Sequence, residues 1–235
     1  MTTKLFNTLA AATTLVGIIA TSGAANAASL SYTSSLDYDF TNIIDAPLSI
    51  QQFDSSLGTL KGVTIGFTGG LLANVELENY RNKTKTPVTV DITSQLSLKL
   101  NNQSLFALNP QYTFSDELAK YDGTLDYGGA SGKTLSNLTA TQSGTQSSTN
   151  TQFLQSFVGN GNIDFLFSAL ANSKVTGSGN IRANIDTLAK AGIKVTYDYD
   201  AKPVPEPSTT LGVGLIAGLC LLSQRKKSWI KMPNS

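Results

Sequence analysis

Histidine is absent from this sequence of 235 residues. Ser-His-Asp and Cys-His catalytic sites need an imidazole as general base, and most zinc sites use one as a ligand. A P-loop and a dinucleotide-binding fingerprint are also missing, because the Gly-Gly pairs of the chain stand alone. We therefore predict that the protein is not an enzyme and that it has no catalytic or cofactor-binding residues.

Cysteine and tryptophan occur once each, as Cys220 and Trp229 near the C-terminus. Residues 28–201 therefore form no disulfide, and their stability must come from the hydrophobic core of a sheet. A sugar-binding platform built on tryptophan is absent from them too. Residues 28–202 carry twelve Lys and Arg against fifteen Asp and Glu, a net charge of −3. That balance gives no reason to expect a nucleic-acid partner.

Residues 1–27 have the three parts of a secretion signal. Lys4 supplies the positive charge, and residues 9–20 (LAAATTLVGIIA) form a short apolar core. Ala25 and Ala27 frame a small-residue cleavage site, so the mature chain is predicted to begin at Ala28. The alternative interpretation is a buried N-terminal helix.

Residues 202–208 are predicted to be an exposed linker. Pro205 and Pro207 favour extended backbone on both sides of Glu206, so no helix is expected to pass through this segment. Extended backbone is also the form in which a protease or transpeptidase binds its substrate. The linker is therefore a candidate processing site that separates residues 28–201 from the C-terminus.

Residues 209–223 are predicted to be a short transmembrane helix, and residues 224–235 a basic cytoplasmic tail. The uncharged stretch of sixteen residues from Ser208 to Ser223 would be about 24 Å long as a helix. That length is marginal for a bilayer core of about 30 Å. The basic cluster that follows fits the positive-inside rule and consists of Arg225, Lys226 and Lys227. Such a helix suits a transient anchor, and the alternative is an ordinary permanent one.

The order Pro-Glu-Pro, apolar helix, basic cluster resembles the PEP-CTERM sorting signal. The resemblance covers residues 204–227, whereas the tail at residues 228–235 extends further than such signals usually do. It implies processing by an exosortase-type enzyme in a Gram-negative bacterium that makes extracellular polysaccharide. The protein is then expected to be exported, to pass through an inner-membrane intermediate, and to end at the cell surface or outside the cell.

Alternating apolar and polar residues predict strands throughout residues 28–201. Such runs mean one buried and one wet face, so we predict an all-β fold, an antiparallel β-sandwich of jelly-roll-like type. Gly69-Gly70 is predicted to be a hairpin turn within residues 63–77. Residues 115–121 (SDELAKY) are predicted to form the only helix. Residues 134–151, rich in Ser, Thr and Gln, predict either a polar edge strand with a loop or a glycosylated, adhesive strip.

Five further segments resemble the choice-of-anchor E family of predicted β domains. Residues 53–60 (FDSSLGTL) and the following residues 62–64 (GVT) match the start of such domains. Residues 121–129 (YDGTLDYGG) and 131–134 (SGKT) resemble a later block, and residues 195–199 (VTYDY) resemble the end. Members of that family carry different C-terminal sorting signals on one β domain. The resemblance implies a domain that works at the cell surface, and it implies no particular biochemical activity.

Calcium is the most plausible ligand, with Asp122 and Asp126 as candidates. These two carboxylates flank a glycine turn, and oxygen-rich loops suit a hard cation. Asp and Gly are also the ordinary residues of turns, so a plain turn is the favoured interpretation and a calcium site the alternative. Asp198 and Asp200 share one strand face and are a second candidate for either solvation or binding.

Glycosidase chemistry needs two carboxylates, which need not be neighbours in sequence. Glu76 and Glu78 lie two residues apart on one strand, and we predict that both are solvated charges on the wet face.

Aromatic residues near both ends of the domain are either core residues or a sugar-binding face: Tyr32, Tyr38, Phe40, Tyr197 and Tyr199.

The sequence thus predicts an exported protein with a structural or interaction role at the cell surface or in the exopolysaccharide matrix. The alternative is a carbohydrate-binding surface module, with or without calcium. The expected partners are an exosortase-type enzyme, the membrane during transit, and extracellular polysaccharide.

Overall fold

A computed structural model of the protein describes residues 14–20, 27–81, 83–177 and 180–202. The chain divides into a unit of residues Met1–Ala201 and a second unit of residues Lys202–Ser235. The sorting residues and Ala25 lie outside the described ranges. Within those ranges, no helix is both long enough and apolar enough to cross a membrane.

Eleven strands and one helix make up the described part of the chain. In chain order they are β1 (Thr14–Ala20), β2 (Ala27–Phe40), β3 (Ile43–Gln51), β4 (Gly58–Asn79), β5 (Thr86–Leu100), β6 (Gln103–Leu108), β7 (Gln111–Leu118), β8 (Gly132–Ser148), α1 (Thr151–Gln155), β9 (Asn162–Ala171), β10 (Lys174–Gly177) and β11 (Ile181–Ala201).

The strands form two antiparallel sheets. The first sheet has the order β1-β2-β11-β4-β8. The second has the order β10-β5-β9-β3, and β6 and β7 pair with β5 on its other side. The prediction of an all-β antiparallel fold is confirmed. Asn101 and Asn102 form the tight turn between β5 and β6, and both residues have the positive φ that such a turn requires.

Two apolar clusters hold the sheets face to face. In the first, Phe67 of β4 packs against Phe167 of β9 and Phe106 of β6, with ring centroids 6.1 and 5.6 Å apart. In the second, β4 packs against β5 through the residues Leu71, Ala73, Val75, Leu77, Val88, Val90 and Ile92. All the buried apolar residues of both clusters lie between Leu30 and Tyr199. Residues 28–201 therefore contain the whole described core, and we expect them to fold on their own.

The predicted hairpin turn at Gly69-Gly70 is wrong. β4 runs without a break from Gly58 to Asn79. These glycines instead allow close packing: a Cβ at Gly69 would overlap the Leu96 side chain of the facing sheet, and one at Gly70 would lie 2.7 Å from Cε of Lys190. A local pattern cannot distinguish a glycine that turns the chain from one that makes room for a neighbour.

The predicted helix at residues 115–121 is also wrong. Residues 111–118 form β7, which pairs with β5 from Gln111 to Leu118. Leu118 is buried and Phe114 packs against the second apolar cluster, so the strand buries both. This pairing with a distant strand outweighs a weak local preference for helix.

The serine- and threonine-rich stretch forms an edge strand, as one of the two interpretations predicted. β8 covers most of it and pairs with β4 along residues 132–148. The chain then enters α1, where the Asn150 side chain accepts a hydrogen bond from the Phe153 amide at 3.1 Å. This short helix is the only one in the described ranges.

Part of the predicted signal peptide falls within the described residues. Residues 14–20 form β1, which pairs antiparallel with residues 28–33 of β2. In the full chain this segment is therefore an outer strand of the first sheet. Cleavage after Ala27 stays a prediction.

Gly69→Ala should destabilise the fold by about 1–3 kcal/mol, because the added methyl group collides with Leu96 across the sandwich. Gly192→Ala is the matched control, since no atom lies within 4 Å of its added Cβ. We expect the control to change stability by less than about 0.5 kcal/mol. Urea denaturation of both variants measures the difference. Equal losses would mean that the close approach of the sheets does not explain Gly69.

Candidate functional site

The outer face of the first sheet is lined by short polar residues. We call it the hydroxyl face, and it consists of three rows across β2, β11, β4 and β8. The registers place in these rows Ser35-Gly192-Thr68-Ser143, Thr33-Lys194-Gly66-Thr145 and Ser31-Thr196-Thr64-Ser147.

Hydroxyl pairs connect neighbouring strands on this face. Thr64 and Ser147 are hydrogen-bonded at 2.9 Å, and Thr68 and Ser143 at 2.9 Å, across β4 and β8. Ser31 of β2 and Thr196 of β11 are hydrogen-bonded at 2.8 Å. Each hydroxyl can donate one bond and accept two, so every pair keeps some capacity for a further partner.

The three rows of the hydroxyl face carry very little charge. Lys194 is the only ionisable residue in the three rows, and glycines separate several of the hydroxyls. Strand spacing of about 4.8 Å and a two-residue repeat of about 6.8 Å give the hydroxyls a regular spacing. Such a face offers many weak hydrogen bonds to a neutral, hydroxylated partner, and it offers no strong electrostatic attraction.

A second group of polar side chains lies at one end of β4, where the loop after β7 folds over it. The prediction that Glu78 is a solvated charge is wrong. Glu78 is fully buried, and its Oε2 accepts a hydrogen bond from the Tyr127 amide at 2.9 Å. Its Oε1 has no hydrogen-bond partner, alone among buried carboxylate oxygens of the described residues. Glu76 is half-buried and accepts a hydrogen bond from Asn184 Nδ2 at 3.3 Å.

Three tyrosines and an arginine surround Glu78 and form with it what we call the loop-end cluster. Tyr80 and Tyr121 stack with ring centroids 4.9 Å apart. Burial, followed by nearby Tyr80 and Glu78, raises the pKa of the Tyr121 phenol. Arg182 lies opposite Glu78 in the β11–β4 register, and its hydrogen bond to Tyr80 raises the pKa of its guanidinium. Tyr127 also lies close to Arg182, where it contributes to the raised pKa of the guanidinium, and it completes the cluster.

Asp122 and Asp126 both lie in the loop that covers Glu78, but each stabilises its own turn. Asp122 Oδ1 accepts a hydrogen bond from the Thr124 amide at 3.0 Å, and Asp126 Oδ1 accepts one from the Gly128 amide at 2.9 Å. These bonds match the turn interpretation of the sequence. Nowhere in the described ranges do three or more His, Cys, Asp or Glu residues converge in a way that could hold a metal ion.

The aromatic residues near the domain ends mostly pack in the core. Tyr197 is buried, donates its hydroxyl to the Gln51 carbonyl at 2.8 Å, and contacts the rings of Tyr32 and Phe53. Burial raises the pKa of Tyr197. Tyr199 is buried against Phe53 as well. These contacts agree with the core interpretation. They leave no sugar-binding face among the candidates Tyr32, Tyr197 and Tyr199.

Two of the aromatic candidates lie near the surface. Lys190 Nζ lies 4.7 Å from the Tyr38 ring centroid, a cation–π contact, and Phe40 is 64% exposed at the end of β2. Asp200 pairs with Lys61 at 3.1 Å beside a shallow depression of about 380 Å³ that Asp198 also lines. The carboxylates of this depression are thus solvated, and one of them has a cation as partner.

No protein-family model matches this chain, and a search of curated proteins found no match.

Sequence reasoning missed the hydroxyl face and the loop-end cluster. The outward positions of single strands could be read from the alternation, as in Thr64-Gly66-Thr68 and Ser143-Thr145-Ser147. The order β2-β11-β4-β8, which joins them into one surface, comes only from pairing between distant segments. Tyr80 and Tyr127 gave no signal, because 47 positions separate them in the sequence.

Glu78→Ala should destabilise the fold by about 1–3 kcal/mol, because the Tyr127 amide loses its acceptor and the side chain leaves a cavity. The matched control is Glu76→Ala on the same strand, for which we expect a change below about 0.5 kcal/mol. Urea denaturation reports stability, and hydrogen exchange at the Tyr127 amide reports the loop. Unchanged protection of that amide in Glu78→Ala would contradict this role for the carboxylate.

Proposed function

We propose that the protein is an exported, non-enzymatic component of the cell surface or exopolysaccharide matrix, with a structural or interaction role. The observation that carries this proposal is the hydroxyl face. A regular array of serine and threonine hydroxyls with a single charge in its three rows suits weak, repeated hydrogen bonding to a neutral polysaccharide. A tight, selective site would instead be concave, with a few converging polar groups.

Export and sorting are the second part of this proposal. Residues 1–27 direct secretion, and the Pro205-Glu206-Pro207 linker is cut by an exosortase-type enzyme after the apolar segment has held the chain in the inner membrane. The supporting features are the three-part N-terminal signal and the basic cluster at residues 225–227. The released unit is then residues 28 to about 205, a β-sandwich of jelly-roll-like type.

The native protein should begin at Ala28 and end near residues 205–208, because both terminal segments are removed during sorting. Intact-mass analysis of the membrane and secreted fractions of the host measures both ends. Replacing Pro205, Glu206 and Pro207 by alanine should leave an uncut, membrane-bound form, whereas Pro203→Ala, just outside the motif, should be processed normally. A membrane-bound product that still ends at Ser235 would overturn the proposed sorting and mean a permanent anchor.

A carbohydrate-binding module that depends on calcium is the second candidate function. The loop-end cluster favours it, because stacked tyrosines lie beside Arg182 and beside a buried carboxylate oxygen without a partner. Aromatic faces and charged hydrogen-bonding groups are the usual means of fixing a polar ligand. In this scheme Asp122 and Asp126 come from the same loop and would bind the cation.

Binding of neutral polysaccharide should weaken about tenfold when Thr64 and Thr68 are both replaced by valine, since two hydrogen-bonding groups are lost without a change of shape. The matched control is the double replacement of Thr89 and Thr113 by valine on the outer face of the second sheet. Co-sedimentation with purified host exopolysaccharide, with and without calcium, measures both. Loss of binding in Tyr121→Ala and on calcium removal, with the Thr64 and Thr68 variant unaffected, would favour the module instead.

A further inference from the structure

β3, β8 and β10 end the strand orders of the two sheets among the described residues, and each is protected from pairing with another chain. β3 contains Pro47 and an irregularity at Asp45, whose φ is +50°. β10 is only four residues long. Prolines, bulges and short strands are the usual means by which proteins keep an edge from pairing.

The edge of β8 is protected in another way, by side chains that reach across to the second sheet. Gln146 Nε2 donates to the Leu105 carbonyl at 2.5 Å, and Gln142 Oε1 accepts from the Asn109 amide at 2.7 Å. Lys133 and Asp116 form an ion pair at 2.8 Å along the same corner. These contacts join the edge of β8 to β6 and β7, so neither side of the corner is open.

The edge of β2 has none of these protections. Residues 27–36 contain no proline, lysine or arginine, and they pair with β11 in regular register. What covers residues 28–33 of this edge in the full chain is β1. β1 lies in the segment that the proposed export removes, so cleavage after Ala27 leaves a regular, uncharged edge open.

We propose that the mature protein forms a symmetric dimer in which β2 pairs antiparallel with β2 of a second copy, in place of β1. This inference rests on the proposed removal of residues 1–27. β1 already shows that the edge accepts an antiparallel strand along residues 28–33. Pairing of this kind satisfies the main-chain donors and acceptors that an open edge leaves unpaired.

The sequence of β2 is complementary to itself in a register centred on Ser31. With the two-fold axis at Ser31, Leu30 lies opposite the partner's Tyr32 on the core face, as an apolar pair. On the hydroxyl face, Ser29 lies opposite the partner's Thr33. Pairs of this kind between opposite residues stabilise antiparallel strands. A shift by one residue would place Leu30 opposite a residue of the other face, so such a shift is disfavoured.

The dimer also has a consequence for the proposed function. Joining two copies through β2 places two hydroxyl faces side by side in one continuous sheet with the order β8-β4-β11-β2 followed by the same strands in reverse. The area that can contact a polysaccharide doubles without any new residue type. Two linked weak surfaces bind an extended polymer more tightly than either does alone.

The test compares residues 28–201 with residues 14–201, which keep β1. Sedimentation velocity over a dilution series should show a dimer for residues 28–201 and a monomer for residues 14–201. Both contain the complete described core, and cooperative unfolding checks that each is folded. A monomeric, folded 28–201 domain would overturn the proposal.

Two double variants test the register. Ser29→Lys with Thr33→Lys places lysine opposite lysine at two symmetric positions and should weaken the dimer about tenfold or more. Ser29→Lys with Thr33→Glu places opposite charges there and should retain the dimer. Within each copy, Ser29→Lys lies opposite Asp198 of β11 and Thr33→Glu lies opposite Lys194. Both pairs have opposite charges, so this variant is also compatible with the fold of each copy. Equal dissociation of both variants would overturn the proposed register.

A different measurement tests the proposed export. If intact mass shows that the native protein keeps residues 1–27, the export proposal is wrong. Whether β2 pairs with itself is decided by the purified domains alone, because residues 1–27 are absent from residues 28–201 by design.

Discussion

The fold depends most on the pairing of β11 with β4. Their register runs from Ile181 opposite Asn79 to Ala201 opposite Gly58, the full length of β11. This single alignment turns Phe67 and Tyr197 into the sandwich and turns the threonines of the hydroxyl face outward. It also brings Arg182 beside Glu78 at one end. A slip by one residue would expose every core side chain of a strand, so the apolar core and the outer surface are specified together.

The strands could be predicted from sequence far better than their partners. Alternation predicted the regions that became β5 and the second half of β11, and it predicted the all-β class, because side chains of a half-buried strand alternate wherever the strand pairs. It did not predict which strands are neighbours. At Gly69 and Gly70 the deciding neighbours, Leu96 and Lys190, lie on other strands. At residues 115–121 the deciding partner is β5, which no local propensity encodes.

The candidate sites were even harder to predict from sequence than the strand partners, because each site depends on distant segments. Alternation assigned Glu78 to the wet side of its strand, and a loop that begins more than forty residues later buries it. The turn interpretation of Asp122 and Asp126 was accessible from sequence, because an Asx turn forms within a few residues. The hydroxyl face was accessible only strand by strand. Properties that form within one segment could be predicted, and properties that need two distant segments could not.

A sheet with few charges tends to pair with other chains unless its edge strands prevent it. Regular strands with few charges pair readily with other chains, and a sheet of this composition would aggregate if its edges were open. β3, β8 and β10 avoid this through features of the folded domain itself: a proline, cross-sheet amide contacts and short length. β2 is covered instead by β1, a segment of the same chain. In the proposed scheme that cover is lost only when the signal segment is removed. Under this proposal, assembly through β2 is delayed until the protein has been exported, so that it occurs outside the cytoplasm, beside the proposed polysaccharide partner.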